Sequence, residues 1–248
     1  MMKRFFEIST KAFVCLLMVA ALASSCKKDD EENSGGGTVA TYTVTAQVEN
    51  GSSYNTQIDS VKMLIYKYEG ETGDIELVST IASAAYRNGG FTLKLPATVS
   101  NAYLSELGAV SLGAELDGIT ISNPSVKTTS GTAIMAYKSG EQVGNFIYSS
   151  ATLLVGQGQY MYANGDVSLT GSVTSSDMYG MTVKYNVQLK KGWNMVYAKL
   201  NISSMEIEMT AQEPSGLKWR YYPGGMIDDF DIKKGLKLPK WNYPMYQL

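Results

Sequence analysis

Acidic side chains two residues apart recur along this chain, at Glu115 and Asp117 and again at Glu206 and Glu208, and three aspartates, Asp228, Asp229 and Asp231, crowd around Phe230. Paired carboxyls are the raw material of glycoside hydrolysis, which needs two of them about 5 Å apart or wider across a cleft. Residues i and i+2 of a strand share a face, so Glu206 and Glu208 would stand side by side, the ordinary arrangement of solubilising charge on an exposed strand. The cluster from Asp228 to Asp231 offers oxygens for Ca²⁺, an ion that takes six to eight of them. With Phe230 in its middle and no other calcium-loop feature, a solvated acidic turn is the expected form, and no metal is assigned to it.

Other chemistries are excluded outright. The chain has no histidine, and its two cysteines are Cys15 and Cys26. Serine–histidine–aspartate and cysteine–histidine constellations, and zinc sites with histidine ligands, therefore cannot be built. No cofactor is expected and the chain reads as a non-enzyme. The formal net charge is −2. Without a basic stripe the chain is a poor partner for nucleic acid, where phosphate contacts demand clustered Lys and Arg.

Aromatic side chains are the remaining chemical resource, with 17 Tyr and 3 Trp. Trp219, Tyr221, Tyr222, Trp241, Tyr243 and Tyr246 gather toward the end of the chain. Aromatic rings stack on the apolar faces of sugars, and Tyr and Trp suit surfaces that are part apolar and part wet. Trp219, Tyr222, Trp241 and Tyr243 are thus candidate ligand-binding residues. The alternative is packing. Large aromatics are mostly buried, so Trp219 is first expected in a core, and Trp193, behind Lys190-Lys191-Gly192, at the end of one.

The elements that must hold these residues are strands. Alternating apolar and polar residues, rich in β-branched and aromatic types and bounded by Gly, Asn and Pro, predict strands over 42–48, 61–68, 75–81 and 91–95. The same pattern continues over 110–116, 119–122, 132–137, 143–155, 159–162, 166–175, 181–189, 195–200, 205–211 and 217–222. Asn88-Gly89-Gly90 is a turn, and Asn164-Gly165 and Lys190-Lys191-Gly192 predict hairpins. A single short helix is expected over Ala97 to Leu107. Many short strands at regular spacing point to an all-β fold of antiparallel β-sandwich architecture. Two consecutive β-domains are expected, 41–107 and 108–248.

The N-terminus has a different grammar. Lys3 and Arg4 precede an apolar run from Ala12 to Ala23, too short to span a bilayer and of the length of a secretory h-region. Ala23, Ser24 and Ser25 lead into Cys26, a stretch that resembles the lipobox of bacterial lipoproteins, with Leu22 one place further from the cysteine than usual. The resemblance implies cleavage after residue 25 and lipidation of Cys26. Lys27, Lys28, Asp29, Asp30, Glu31 and Glu32 follow, and this run resembles the export signal of surface lipoproteins of the Bacteroidota. With Gly35-Gly36-Gly37 it forms a tether over 26–40. The same charges could serve as a solvated spacer without an address function.

A second resemblance lies in the first β-unit. Ile58 to Tyr68 and Ser79 to Leu95, ending in Asn88-Gly89-Gly90-Phe91-Thr92-Leu93-Lys94-Leu95-Pro96, is similar to transthyretin-like or carboxypeptidase-regulatory-like sandwiches. That likeness implies display or connection and carries no catalytic residues. The whole chain resembles Bacteroidota surface lipoproteins. The expectation is a noncatalytic lipoprotein of the outer membrane, facing outward, held by acyl chains and meeting a polysaccharide or protein partner outside the cell. A glycan-binding module of a nutrient-uptake system and an adhesin or appendage subunit are the alternatives.

Overall fold

The computed structural model describes residues 42–69, 74–107, 118–151, 156–175, 181–201 and 203–224. The segment around Cys26 expected to be lipidated, the strand expected over 110–116 and the aromatic tail from Trp241 lie outside these residues. Strands dominate, in line with the all-β expectation. The first are β1 (Tyr42–Gln47), β2 (Ser60–Glu69), β3 (Asp74–Ala85) and β4 (Gly90–Leu95). Short β5 (Leu104–Glu106), β6 (Ile119–Ile121) and β7 (Lys127–Thr129) lead to β8 (Gly131–Lys138), β9 (Glu141–Ser149) and β10 (Gln157–Ala163). Then come β11 (Val167–Ser175), β12 (Met181–Leu189), β13 (Gly192–Asn201), β14 (Glu206–Thr210) and β15 (Lys218–Pro223). Alternation explains most of them: along β12, Val183, Tyr185, Val187 and Leu189 are buried while Lys184, Asn186 and Gln188 are exposed. β8 is buried on both faces from Gly131 to Tyr137, as its continuous run of small and apolar residues requires.

One sheet of 13 strands runs β3-β2-β8-β9-β10-β13-β14-β12-β11-β6, and a two-stranded ribbon pairs β1 with β4. The two domains expected on either side of residue 108 share this sheet, because β2 pairs with β8 from Ser60↔Tyr137 to Tyr66↔Gly131. The described residues belong to one compact unit. β9 is a branch point. Along one edge it carries β15, from Lys218↔Ser149 to Pro223↔Gly144. Along the other it pairs first with β8, up to Ile134↔Phe146, and then with β10, at Gly158↔Tyr148 and Gln157↔Ser149.

Three local expectations are corrected. Residues 97–107 form a 3₁₀ turn, Asn101–Tyr103, followed by β5. Pairing with β7 gives this backbone partners that a single helical turn would lack, and it sends Leu104 into one core and Leu107 into the other. Asn164-Gly165 joins β10 to β11, which do not pair, and neither residue has positive φ. Instead Asn164 extends the β7 ladder: its N–H donates to Lys127 O at 3.0 Å and its Oδ1 accepts from Lys127 N at 2.9 Å. Lys190-Lys191 likewise joins two strands that are not neighbours, since β14 lies between β12 and β13. The Asn194 side chain takes the place of a strand partner there, accepting from Lys190 N at 2.9 Å and donating to Lys190 O at 2.7 Å. Asn88-Gly89 does form a tight turn, with φ of 54° and 76°.

Two cores lie on opposite faces of the large sheet. In the first, Val44 and Ala46 of β1 and Phe91, Leu93 and Leu95 of β4 meet Val61, Met63, Ile134, Ala136, Phe146 and Tyr221. In the second, Val167, Leu169, Val183, Val187, Leu189, Val196, Ile207 and Met209 pack with Leu107, Val126 and Ala163. Ribbon over sheet is the sandwich-like element of the architecture. Trp193 is buried in the first core and donates from Nε1 to Pro96 O at 2.8 Å. Trp219, 9% exposed, stands with its ring 5.7 Å from Phe91 and 5.2 Å from Tyr148. Trp219→Ala should therefore destabilise the protein by ~3–5 kcal/mol, the usual result of emptying a buried aromatic site. Denaturant unfolding measures it, and a midpoint equal to the parent's would remove Trp219 from the core.

Candidate binding face

Side chains of directly paired residues stand on the same side of a sheet. The register therefore fixes which residues share a face. Tyr148, Gly158, Tyr197, Thr210, Asn186, Thr170 and Thr120 form one row from β9 to β6. Beside it run Lys199, Glu208, Lys184 and Ser172, and beyond them Asn201, Glu206, Thr182 and Thr174. This face is the reverse of the one that carries the second core; at its β9–β10 end it runs into the first core beneath the β1–β4 ribbon, and from Asn186 of β12 to Thr120 of β6 its row is exposed. Over β11 to β14 it holds a groove of about 500 Å³ with Lys184, Asn186, Lys199, Asn201, Glu206 and Glu208 along it.

The groove owes its shape to backbone features. β14 is short and parallel to β12 while antiparallel to β13, so it sits as a narrow floor between two longer strands. At the far side, Gly171 has φ of 125°, and a Cβ there would fall 1.9 Å from Gly118 O. Only glycine lets β6 close on β11 at that point.

Its electrostatics are balanced. Lys184 Nζ lies 2.5 Å from Glu206 Oε1. That contact, with a hydrogen bond from Ser204 Oγ, holds the Glu206 carboxyl below the usual carboxylate range. Lys199 is the direct neighbour of Glu208 across the β13–β14 ladder. Asn201 uses its Oδ1 to accept from Ser203 N at 3.1 Å, which leaves its amide hydrogens toward the groove face as donors.

At the β9 end the face turns aromatic. Gly158 lies between the rings of Tyr148 and Tyr197, each about 3 Å from where its Cβ would be. Both phenols donate to one carboxylate: Tyr148 Oη to Glu213 Oε1, and Tyr197 Oη to Glu213 Oε2 at 3.3 Å. Tyr160 is two residues along β10 and packs edge-on against Tyr42, centroids 6.0 Å apart. Tyr42 is 40% exposed, and Tyr148 and Tyr160 are half-buried. Burial is the main force pushing the Tyr148 phenol up to about 12, and the Glu213 carboxylate adds to it. Tyr160 and Tyr197 are pushed upward for the same reasons, burial first. At neutral pH these hydroxyls are donors, not bases.

The residues singled out from sequence fall as follows. Trp219 is in the core, so the packing alternative holds for it. Tyr222 is on the other side of β15 from Trp219, half-buried, with Oη 3.4 Å from Ser149 Oγ. The two are not brought together. Trp241, Tyr243, Cys26, the run Lys27 to Glu32, Glu115, Asp117 and the Asp228–Asp231 cluster lie outside the described residues. Glu206 and Glu208 do share a face, as their spacing predicts. Sequence reasoning missed Tyr42, Tyr148, Tyr197 and Glu213, because strand pairing across wide separations assembles them. No protein-family model, no curated protein and no solved structure matches the chain.

The raised phenols have a pH consequence. Tyr148 ionises near 12 when folded and near the ordinary 10 when unfolded. Its stabilising contribution is thus complete below pH 10 and is lost as pH rises through 12. Tyr86, pushed up to about 12 chiefly by burial, acts in the same direction. Melting temperature should hold steady as pH approaches 10 and fall between 10 and 12. Glu213→Gln should let Tyr148 ionise at lower pH, seen as a shift of the late, high-pH part of the phenolate absorbance titration toward lower pH. A high-pH limb unchanged from the parent would separate Glu213 from the phenols.

Proposed function

We propose that this chain is a noncatalytic, lipid-anchored protein of the cell surface that uses its β-sheet unit to bind or scaffold a partner outside the cell. The observation that carries the binding role is the open face just described. It combines half-exposed aromatic rings, donors kept protonated and balanced charges, the composition of a recognition surface. The anchor rests on the lipobox-like stretch before Cys26, and outward display rests on the likeness of Lys27 to Glu32 to the Bacteroidota export run. Acyl chains such as palmitate supply the attachment, at about 0.8 kcal/mol per buried CH₂, so no helix need cross the outer membrane.

Assembly by strand addition has less support. β3 ends the large sheet, but it carries two bulges against β2, between Met63/Leu64 and Lys67/Tyr68. Bulges at an edge twist it away from a new partner.

Cys26→Ala should move the protein out of the outer-membrane fraction, as soluble protein or retained precursor. Unchanged partition into that fraction would defeat the anchor. Replacing Lys28, Asp29 and Asp30 by Ala should change a protease-accessible protein in intact cells into a protected one. Equal accessibility would reduce the charged run to a spacer.

A further inference from the structure

We infer that the groove over β11 to β14 is a binding site for a neutral glycan, with Glu208, Asn186 and Lys199 as its principal hydrogen-bonding residues. This rests on the binding role proposed above and names the ligand class for the same face.

Size sets the first limit. A groove of about 500 Å³ falls within the range of small-ligand sites, roughly 300–1,000 Å³, and takes one or two sugar rings. Charge sets the second. The groove holds two cations, Lys184 and Lys199, and two carboxylates, Glu206 and Glu208. Its formal charge therefore cancels, and Lys184 is already engaged by Glu206 at 2.5 Å. A phosphate, a polyanion or a cationic peptide finds no net field to draw it in. A ligand that is uncharged and dense in hydroxyls meets its complement.

Spacing is the third argument. Lys199, Glu208 and Lys184 are successive cross-strand neighbours, at intervals of about 5 Å. Donor, acceptor and donor thus alternate in a line, flanked by Asn186, whose amide can donate and accept, and by Asn201, whose oxygen is taken by Ser203 N and Ser204 N and whose NH₂ donates. A sugar hydroxyl both donates and accepts, and adjacent hydroxyls on a ring reach two neighbouring side chains at once. A carboxylate has about four acceptor sites, enough for a diol and a lysine together. All of these side chains stand on strands, which hold them in register and limit the ordering required on binding.

The same row leads to a place for further rings. From Lys199 the β13 face continues to Tyr197, next to Tyr148, and β10 then leads through Tyr160 to the exposed ring of Tyr42. Glu213 is exposed there and retains acceptor capacity beyond its two phenols. Tyr197 itself is buried, so an oligosaccharide that fills the groove and extends in this direction would stack on the exposed ring of Tyr42 and the half-buried edge of Tyr148.

The test uses the full-length chain purified in detergent and run in affinity gels containing glucan, mannan, galactan or xylan, with polygalacturonate as the anionic control. The expected result is retardation by at least one neutral polysaccharide and none by polygalacturonate. Glu208→Ala and Asn186→Ala should each weaken that retardation about tenfold, as lost charge-assisted or amide hydrogen bonds do. Both positions are exposed, so their melting temperatures should stay at the parent's. Tyr42→Ala should weaken binding of long chains while sparing short oligosaccharides. Glu106→Ala, remote on β5, should change nothing. Absence of retardation in all four neutral gels, retardation by polygalacturonate alone, or full retention by folded Glu208→Ala and Asn186→Ala would each overturn the site. None of these results depends on Cys26 or on display, so the anchor can stand while the glycan site falls, and the reverse.

Discussion

The structure depends on how β9 divides its outer edge between two strands. Where β8 leaves and β10 arrives, backbone groups that would pair in a regular ladder are pulled apart inside the protein. Buried polar groups without partners are costly, so this branch exists only because side chains bridge it. Thr132 Oγ1 donates to Tyr160 O at 2.8 Å, and Gln159 Nε2 donates to Thr132 O at 3.2 Å. A little further along, Thr129 Oγ1 accepts from Tyr162 N at 3.1 Å. Thr129 and Thr132 are buried among apolar neighbours, and the hydroxyls spend their burial on this seam.

From that branch the two cores follow. Before it, the sheet faces the β1–β4 ribbon and buries its aromatic side there. Beyond it, the apolar residues of β11 to β14 lie on the other face, and the polar face is released to solvent. The groove is therefore a product of the same divergence that creates the seam. Tyr148 and Tyr160, half-buried, and the buried Tyr197 mark the crossing. Ion pairs reinforce the same end of β9 across its β15 edge: Glu49 bonds Arg220 and, at 3.0 Å, Lys218, tying the segment after β1 to β15. These pairs are part-exposed and add little stability individually; the parallel bridge Val48↔Trp219 and the buried Trp219 ring do more.

Strands were legible because alternation is local. The segment 181–189 is read from Val183, Tyr185, Val187 and Leu189 without knowledge of any partner, and 132–137 from an unbroken run of small and apolar side chains. Partners were not legible. Asn164-Gly165 has hairpin chemistry and yet joins strands that lie apart, because Asn164 satisfies Lys127 instead. The 97–107 segment has a helical spacing of Tyr103, Leu104 and Leu107, but two different cores claim the leucines. The candidate face suffered most. Spacing alone placed Glu206 beside Glu208. Setting Lys184 and Lys199 on either side of Glu208 takes a parallel pairing of β12 with β14, and local pattern does not encode it.

That wedged strand also orders events in time. β12 and β13 are joined by two residues and enter the growing fold before β14 exists. On their own they are free to zip together as an antiparallel hairpin, the fastest long-strand contact available to that stretch, formed within microseconds. β14 can be seated only if this early pair opens at the end away from Asn194. Seating β14 between its two longer neighbours therefore completes the floor of the groove. Without β14 in place, β12 and β13 would present unpaired inner edges, the kind of open strand edge that invites aggregation.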